Sequence, residues 1–204
     1  MAPDDDAVVE MVFMRQISRI IESRKTNDIE MRAKAEQEGQ RYAQKAAERN
    51  LDKMQGNLYK ARLLMAQEKF RDAVQLVRQA LDRVPNNPQA WRLLGMAHME
   101  AGQVNEGLNA YQRALEGQPN NGAFAKDYAR ALVRVARGRD ALAVVNPDTG
   151  ALRFPDNSGD EELVNMWLEL EAQHNGPAGV KKATERRRVI FERRPNYLPN
   201  AVSL

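Results

Sequence analysis

The stretch Pro88-Gln89-Ala90-Trp91-Arg92-Leu93-Leu94-Gly95-Met96-Ala97-His98 decides the reading of this chain. It reads as one helix, and Gly102 just after it permits the left-handed residue that commonly ends a helix. Gly107, Tyr111 and Ala114 follow in a second helix. Pro119 comes just after that second helix, where a sharp stop is needed. The unit is therefore helix, turn, helix, proline. Its small residues, Gly95 and Ala114, sit where two helices would have to approach, and Trp91 and Tyr111 sit where bulk is needed between neighbouring units.

These residues resemble the tetratricopeptide repeat, a helix–turn–helix unit of about 34 residues. Trp91, Leu94, Gly95, Tyr111, Ala114 and Pro119 stand where that family carries its signature. Gly107 replaces the usual alanine and His98 the usual aromatic residue. One period earlier, Ala61, Ala73, Ala80 and Pro85 match, while Asn57 and Lys60 do not. One period later, Tyr128, Ala129 and Ala141 match, and the second helix stops at Asn146-Pro147 because proline cannot continue a helix interior. A last unit comes late, with Trp167, Leu170, Ala183 and Pro195 in place and Arg187 at the usual aromatic site. The units start near 54, 88, 122 and 164. The expected fold is all-α, a TPR-like helix–turn–helix solenoid, with residues 1–53 as a helical N-terminal arm and 54–204 as the repeat domain.

The arm reads as two helices. Val8, Val9, Val12, Phe13, Gln16, Ile17, Ile20 and Ile21 recur at spacings of three and four over residues 7–24. Thr26-Asn27-Asp28 marks a stop and a new N-cap. Residues 28–53 are strong helix formers with little apolar content, so this helix is expected to be exposed, packed on a narrow stripe or paired with another chain. The arm at 7–24 is expected to dock on a partner or cap the open end of the repeats; filling the repeats' own groove is the alternative. The acidic start, Asp4–Asp6, does not resemble a secretory signal, so a cytoplasmic location is expected.

Composition narrows the chemistry. The chain has 204 residues, 43% of them apolar and 29% charged, which suffices for a core. With no cysteine, disulfide scaffolds, Cys-ligated metals and thiol catalysis are excluded. The two histidines, His98 and His174, fall at equivalent packing positions of their repeats, along with Leu64 and Leu132. No acid–base pair, phosphate loop or metal cluster stands out, so no enzyme activity, metal or cofactor is expected. The acidic residues Asp160, Glu161 and Glu162 suit a helix start, with Ser158 and Glu161 as a candidate capping box. Gly176-Pro177-Ala178-Gly179 reads as the turn between the last two helices.

The resemblance also implies a concave groove lined by the first helices. Carried onto this sequence, its lining includes Leu58, Tyr59, Arg62 and Met65, then Arg92, Leu93, Met96, Met99 and Glu100, then Lys126, Asp127, Arg130, Val133 and Arg134. Methionine adapts its shape to varied surfaces. The expected guest is an apolar segment with an acidic flank, facing Arg92, Arg130 and Arg134. The carboxylate clamp of the family's co-chaperone members is absent, since its positions hold Leu58, Arg62, Leu93, Ala123 and Asp127. On the last helix, Lys181, Lys182, Arg186, Arg187, Arg188, Arg193 and Arg194 outnumber Glu185 and Glu192. This basic patch is expected to be a solvated face, with the acidic stretch at 160–171 as its candidate pairing partner. No aromatic residues interleave to stack on bases, which argues against nucleic acid. The expected work is protein binding: a scaffold or adaptor within a larger assembly. Alternatives are a chaperone for a secreted or assembly client, and a nucleic-acid-associated factor using the basic helix.

Overall fold

The structure, a computed structural model, describes residues 6–49, 54–153 and 160–192. It is helical throughout, with no strand among the described residues. In chain order the helices are α1 (Asp6–Lys25), α2 (Ile29–Arg49), α3 (Met54–Ala66), α4 (Phe70–Arg83), α5 (Pro88–Glu100), α6 (Val104–Gly117), α7 (Gly122–Arg134) and α8 (Gly138–Val145). A 3-10 turn at Ala151–Arg153 precedes α9 (Glu161–Glu192). Two compact units result, Met1–Gly117 and Gln118–Leu204. The stop at Pro195 and the cations Arg193 and Arg194 lie outside the described residues, as do Asp4 and Asp5 of the acidic start.

One turn recurs four times. The amides of Asp28, Lys69, Gln103 and Arg137 donate to the carbonyls of Ser23, Leu64, His98 and Leu132 at 2.8, 2.8, 2.9 and 2.8 Å. The residue before each donor is left-handed: Asn27 (φ 56°), Glu68 (61°), Gly102 (77°) and Ala136 (61°). This is the Schellman closure, which satisfies carbonyls that the helix end leaves without partners. Glycine occupies one of the four positions. A Cβ in this region costs roughly 1–2 kcal/mol, partly offset by the chain entropy glycine loses on folding. Ala136→Gly should therefore stabilise the protein by about 0.5–1 kcal/mol, and Gly102→Ala should destabilise it by a similar amount. Urea unfolding curves measure both; shifts of the same sign would refute the argument.

In the first unit, α1 packs along α2, α2 along α3, and each later helix along its neighbour through α6. The first helices also touch one another, α1 with α3 and α3 with α5. Residues 6–49, from the segment expected as an arm, thus form a hairpin with the same turn and the same neighbour relations as the repeats. Their core joins Phe13, Ile17 and Ile20 of α1 to Ala35 and Ala43 of α2 and to Leu63 and Ala66 of α3. The polar α2 holds its place by close approach. Its buried stripe is Ala35, Gly39 and Ala43, and a Cβ on Gly39 would come within 3.0 Å of Leu63 Cδ1. Asp28 caps α2, its Oδ1 accepting the Met31 amide at 2.9 Å. The outward side of α1 is mixed: Arg15, Ser18 and Glu22 are exposed together with Met11, at 64%.

A second core runs through α3 to α6, with Ala61, Ala73, Val77, Ala80, Leu94 and Ala97 at its centre. Gly95 lies beneath the Tyr111 ring, where an added Cβ would meet ring carbons at 2.9 Å. Trp91 donates from Nε1 to the Pro85 carbonyl at 2.7 Å, and the Arg113 guanidinium lies 4.6 Å from its ring centre. His98 is 2% exposed. Its Nδ1 lies 2.6 Å from Gln103 Oε1 and its Nε2 3.5 Å from Arg78 Nη2. Arginine only donates, so Nε2 accepts and Nδ1 carries the proton. His98 is thus a packing residue that ties α5 to the start of α6.

In the second unit, α8 ends after Val145. Asn146 Oδ1 then accepts the amides of Asp148 and Thr149 at 2.8 and 3.1 Å, which replaces helix bonds with a tight turn. Ala151 and Leu152 are buried, so the chain just beyond this turn tucks in. The start of α9 is capped by Asp160, whose Oδ1 accepts the Leu163 amide at 3.1 Å. That is the N-cap position, one residue before Glu161; Ser158 lies outside the described residues. At Gly176 (φ 59°, ψ −151°) α9 breaks in a conformation that suits glycine, and Pro177 opens its second half.

Candidate partner-binding groove

In the first unit α1, α3 and α5 face a groove of about 770 Å³. From α1 come Met14, Ile17 and Ile21, from α3 Met65 and Ala66, and from α5 Leu93 and Met96. Met14 and Ile21 are 42% and 46% exposed, unusual for apolar side chains of this size unless something covers them. Charges stand at both ends of α1. Glu10 pairs with Arg62 at 3.5 Å, and Arg24 pairs with Glu68 and donates to the Ala66 carbonyl at 2.8 Å. Each cation of these pairs has its carboxylate, so an apolar strip lies between two ion pairs, with Lys25, Arg92 and Glu100 also on its border.

The sequence-derived lining divides. Arg62, Met65, Arg92, Leu93, Met96 and Glu100 border the groove. Leu58 and Met99 do not; both are buried, at 5% and 6% exposure. Leu58 joins the α3–α6 core. Met99 folds against Gly107, where a Cβ would meet its Cγ at 2.7 Å, so the missing methyl makes the space Met99 fills. Tyr59 stands edge-on to Phe13 with ring centres 4.7 Å apart, covered by α1. The α1 residues Glu10, Met14, Ile17, Ile21 and Arg24 were not foreseen as lining. Their signal was present: on a helix, Glu10, Met14, Ile17, Ile21 and Arg24 fall on one side by spacings of three and four.

Lys126, Arg130 and Arg134 belong to the second unit. Lys126 Nζ lies 2.8 Å from Asp160 Oδ2 and 3.1 Å from Glu162 Oε2, and Arg130 pairs with Glu162 and lies 3.9 Å from Asp127. Arg130 and Arg134 border a second depression of about 820 Å³ with Val133 of α7 and Met166 and Leu170 of α9. The acidic start of α9 is thus engaged by α7. The basic residues of the last helix find other partners: Arg186 bonds Asp148 at 2.8 Å, and Arg188 lies 3.4 Å from Glu185. Lys181, Lys182, Arg186, Arg187 and Arg188 are all exposed.

Burial alone would raise the pKa of Asp160, but the Lys126 hydrogen bond, the Leu163 amide and the charges of Lys126 and Arg130 outweigh it and hold the carboxyl below its ordinary value. Because the folded value is depressed, the stabilisation is present above the unfolded value. It is lost as pH falls through the folded one. Asparagine caps a helix about as well as aspartate but carries no charge. Asp160→Asn should therefore lower stability at pH 7 and flatten its fall below about pH 4; thermal melts from pH 2 to 7 test this.

Among the described residues, no group of three or more His, Asp or Glu side chains is placed to hold a metal ion, and no helix is long and apolar enough to cross a membrane.

Stacked helix pairs with one recurring left-handed turn and an open groove between first helices define a helical-repeat protein. Residues 58–122 and 94–146 match the tetratricopeptide repeat model. The chain is a tetratricopeptide repeat protein, and its fold is that of a protein–protein interaction scaffold. Over 168 residues it is 31% identical to the Protein CTR9 homolog of Arabidopsis thaliana, a match that covers 78% of this chain and 15% of that protein. The solved structure of MamA AMB-1 is similar with a TM-score of 0.55 at 13% identity, over 93% of this chain and 95% of MamA. YrrB, described as a TPR protein with an unusual peptide-binding site, is similar with a TM-score of 0.52 at 15% identity, over 87% and 86% of the two chains. At such identities the structural likenesses establish the fold alone.

Proposed function

We propose that this chain is a non-enzymatic scaffold, a subunit of a larger assembly, that holds an apolar segment of a partner protein in the groove between α1, α3 and α5. The observation that carries this reading is the apolar strip of Met14 and Ile21, both exposed, with the half-buried Met65 and Met96, between the Glu10–Arg62 and Arg24–Glu68 pairs. From Glu10 to Arg24 the helix rises roughly 20 Å, enough for about four turns of a helical guest. Three methionines allow the strip to fit a guest of irregular contour. The peptide-binding description of YrrB is in keeping with such a role. The acidic flank expected on the guest rests on Arg92, Arg130 and Arg134; of these Arg92 borders this groove, while Arg130 lies in the second unit and pairs with Glu162.

The test is affinity purification from the native host with mass spectrometry, comparing wild type with Ile21→Glu and Met96→Glu. Ile21 is exposed, whereas Met96 is half-buried against the α3–α6 core, so a thermal melt of each variant accompanies the purification to show that it folds. Loss of the same partner from both, by tenfold or more, is the expected result. Unchanged recovery with either variant would overturn the groove reading.

A further inference from the structure

The second half of α9 carries a surface that the groove reading does not use. It borders a cleft of about 710 Å³ with the Asn146–Asp148 turn and the first half of α9. Three carboxylates stand there, and each is engaged. Asp148 bonds Arg186 and Glu185 faces Arg188. Glu171, 8% exposed, accepts from Trp167 Nε1 at 3.3 Å and from Asn175 Nδ2 at 2.6 Å. The stretch at 160–171 therefore does not neutralise the lysines beside it: Asp160 and Glu162 are held by Lys126 and Arg130. Lys181 and Lys182 line the cleft, are exposed, and make no ion pair among the described residues. Val180, next to them, is 40% exposed.

We propose that this cleft is a second docking site, and that it takes a short acidic segment of a partner protein whose carboxylates meet the adjacent ammonium groups of Lys181 and Lys182. Charge complementarity selects the guest. Asp148 and Glu185 already have Arg186 and Arg188, so the two ammonium groups are the charges left for a guest's carboxylates. Trp167 is 2% exposed and offers no face for stacking a base. A bilayer needs an apolar helix face, and between Lys181 and Arg188 every residue but Ala183 is exposed and polar. Ammonium–carboxylate contacts at a surface are screened by salt, so the association belongs to the fast, salt-sensitive kind.

The test uses the full chain and fluorescence anisotropy with four probes. They are a labelled ten-residue peptide rich in Asp and Glu, its Asn/Gln counterpart, a single-stranded oligonucleotide of equal charge, and vesicles containing phosphatidylserine. The acidic peptide should saturate, the Asn/Gln peptide should not, and Lys181→Glu with Lys182→Glu should weaken binding at least tenfold. Lys181→Ala with Lys182→Ala should lie between, and Ile21→Glu in the groove should change nothing, which separates this site from the first. Absence of saturable binding to the acidic peptide, or equal binding by the double Glu variant, would overturn the proposal. So would tighter binding of the oligonucleotide or the vesicles.

Discussion

Phe13→Ala is expected to cost about 3–5 kcal/mol and to lower the melting temperature by roughly 10 °C. Phe13 is fully buried and is the largest such side chain in the chain's described part. It meets Tyr59 edge-on and belongs to the cluster that joins α1, α2 and α3. Its removal leaves a cavity where α1, α2 and α3 meet. The small side chains around it, Ala35, Ala43 and Ala66, have no reach with which to fill the space. The damage should be local in its first effect. Limited proteolysis near the exposed residues Thr26 and Asn27 should accelerate before the repeats from α3 onward lose structure. A melt within 2 °C of wild type would show that α1 and α2 are not held by this core.

Gly95→Leu should be nearly as damaging, at about 3 kcal/mol. In an exposed helix, replacing glycine usually stabilises, since glycine loses the most chain freedom on folding. Here the sign reverses. The first carbon added to Gly95 would lie 2.9 Å from the Tyr111 ring, and leucine adds three more. The ring cannot retreat freely, because Tyr111 is itself 7% exposed and packed. Trimming the ring should restore part of the loss. In a double-mutant cycle, Gly95→Leu in a Tyr111→Ala background should cost at least 1 kcal/mol less than in wild type. Additive effects would show that the two residues do not oppose each other.

The repeats were legible where side chains of distinctive size mark a packing need. Trp91, Gly95, Tyr111 and Ala114 fixed one unit, and the others followed by period. The hairpin of α1 and α2 was legible as two helices but not as a packed pair. Its inner stripe of Ala35, Gly39 and Ala43 looks like ordinary helix-forming composition in a polar segment, and only the close approach to Leu63 gives it meaning. The groove was half legible for the same reason. Residues of α3 and α5 were found through the resemblance, whereas the α1 wall lies outside any repeat signature. Met99 shows the converse limit. Its register placed it on the opening, but Gly107 one helix away leaves a hollow, and a flexible side chain takes the nearest space that excludes water. The left-handed turn was visible at Gly102. Asn27, in the stop at Thr26–Asp28, is of a type that tolerates this geometry, whereas backbone hydrogen bonds impose it on Glu68 and Ala136, whose side chains do not advertise it.

The mixed outer side of α1 bears on what many copies of this molecule do together. A repeat stack grows by presenting the same apolar edge that it buries, so a bare end invites the next copy head to tail, and such contacts that fail to close give filaments. Any helix arriving against Arg15, Ser18 and Glu22 would have to strip water from two charges without supplying partners for them. Replacing Arg15 and Glu22 with leucine, beside the exposed Met11, would make this face apolar and promote association of copies through it.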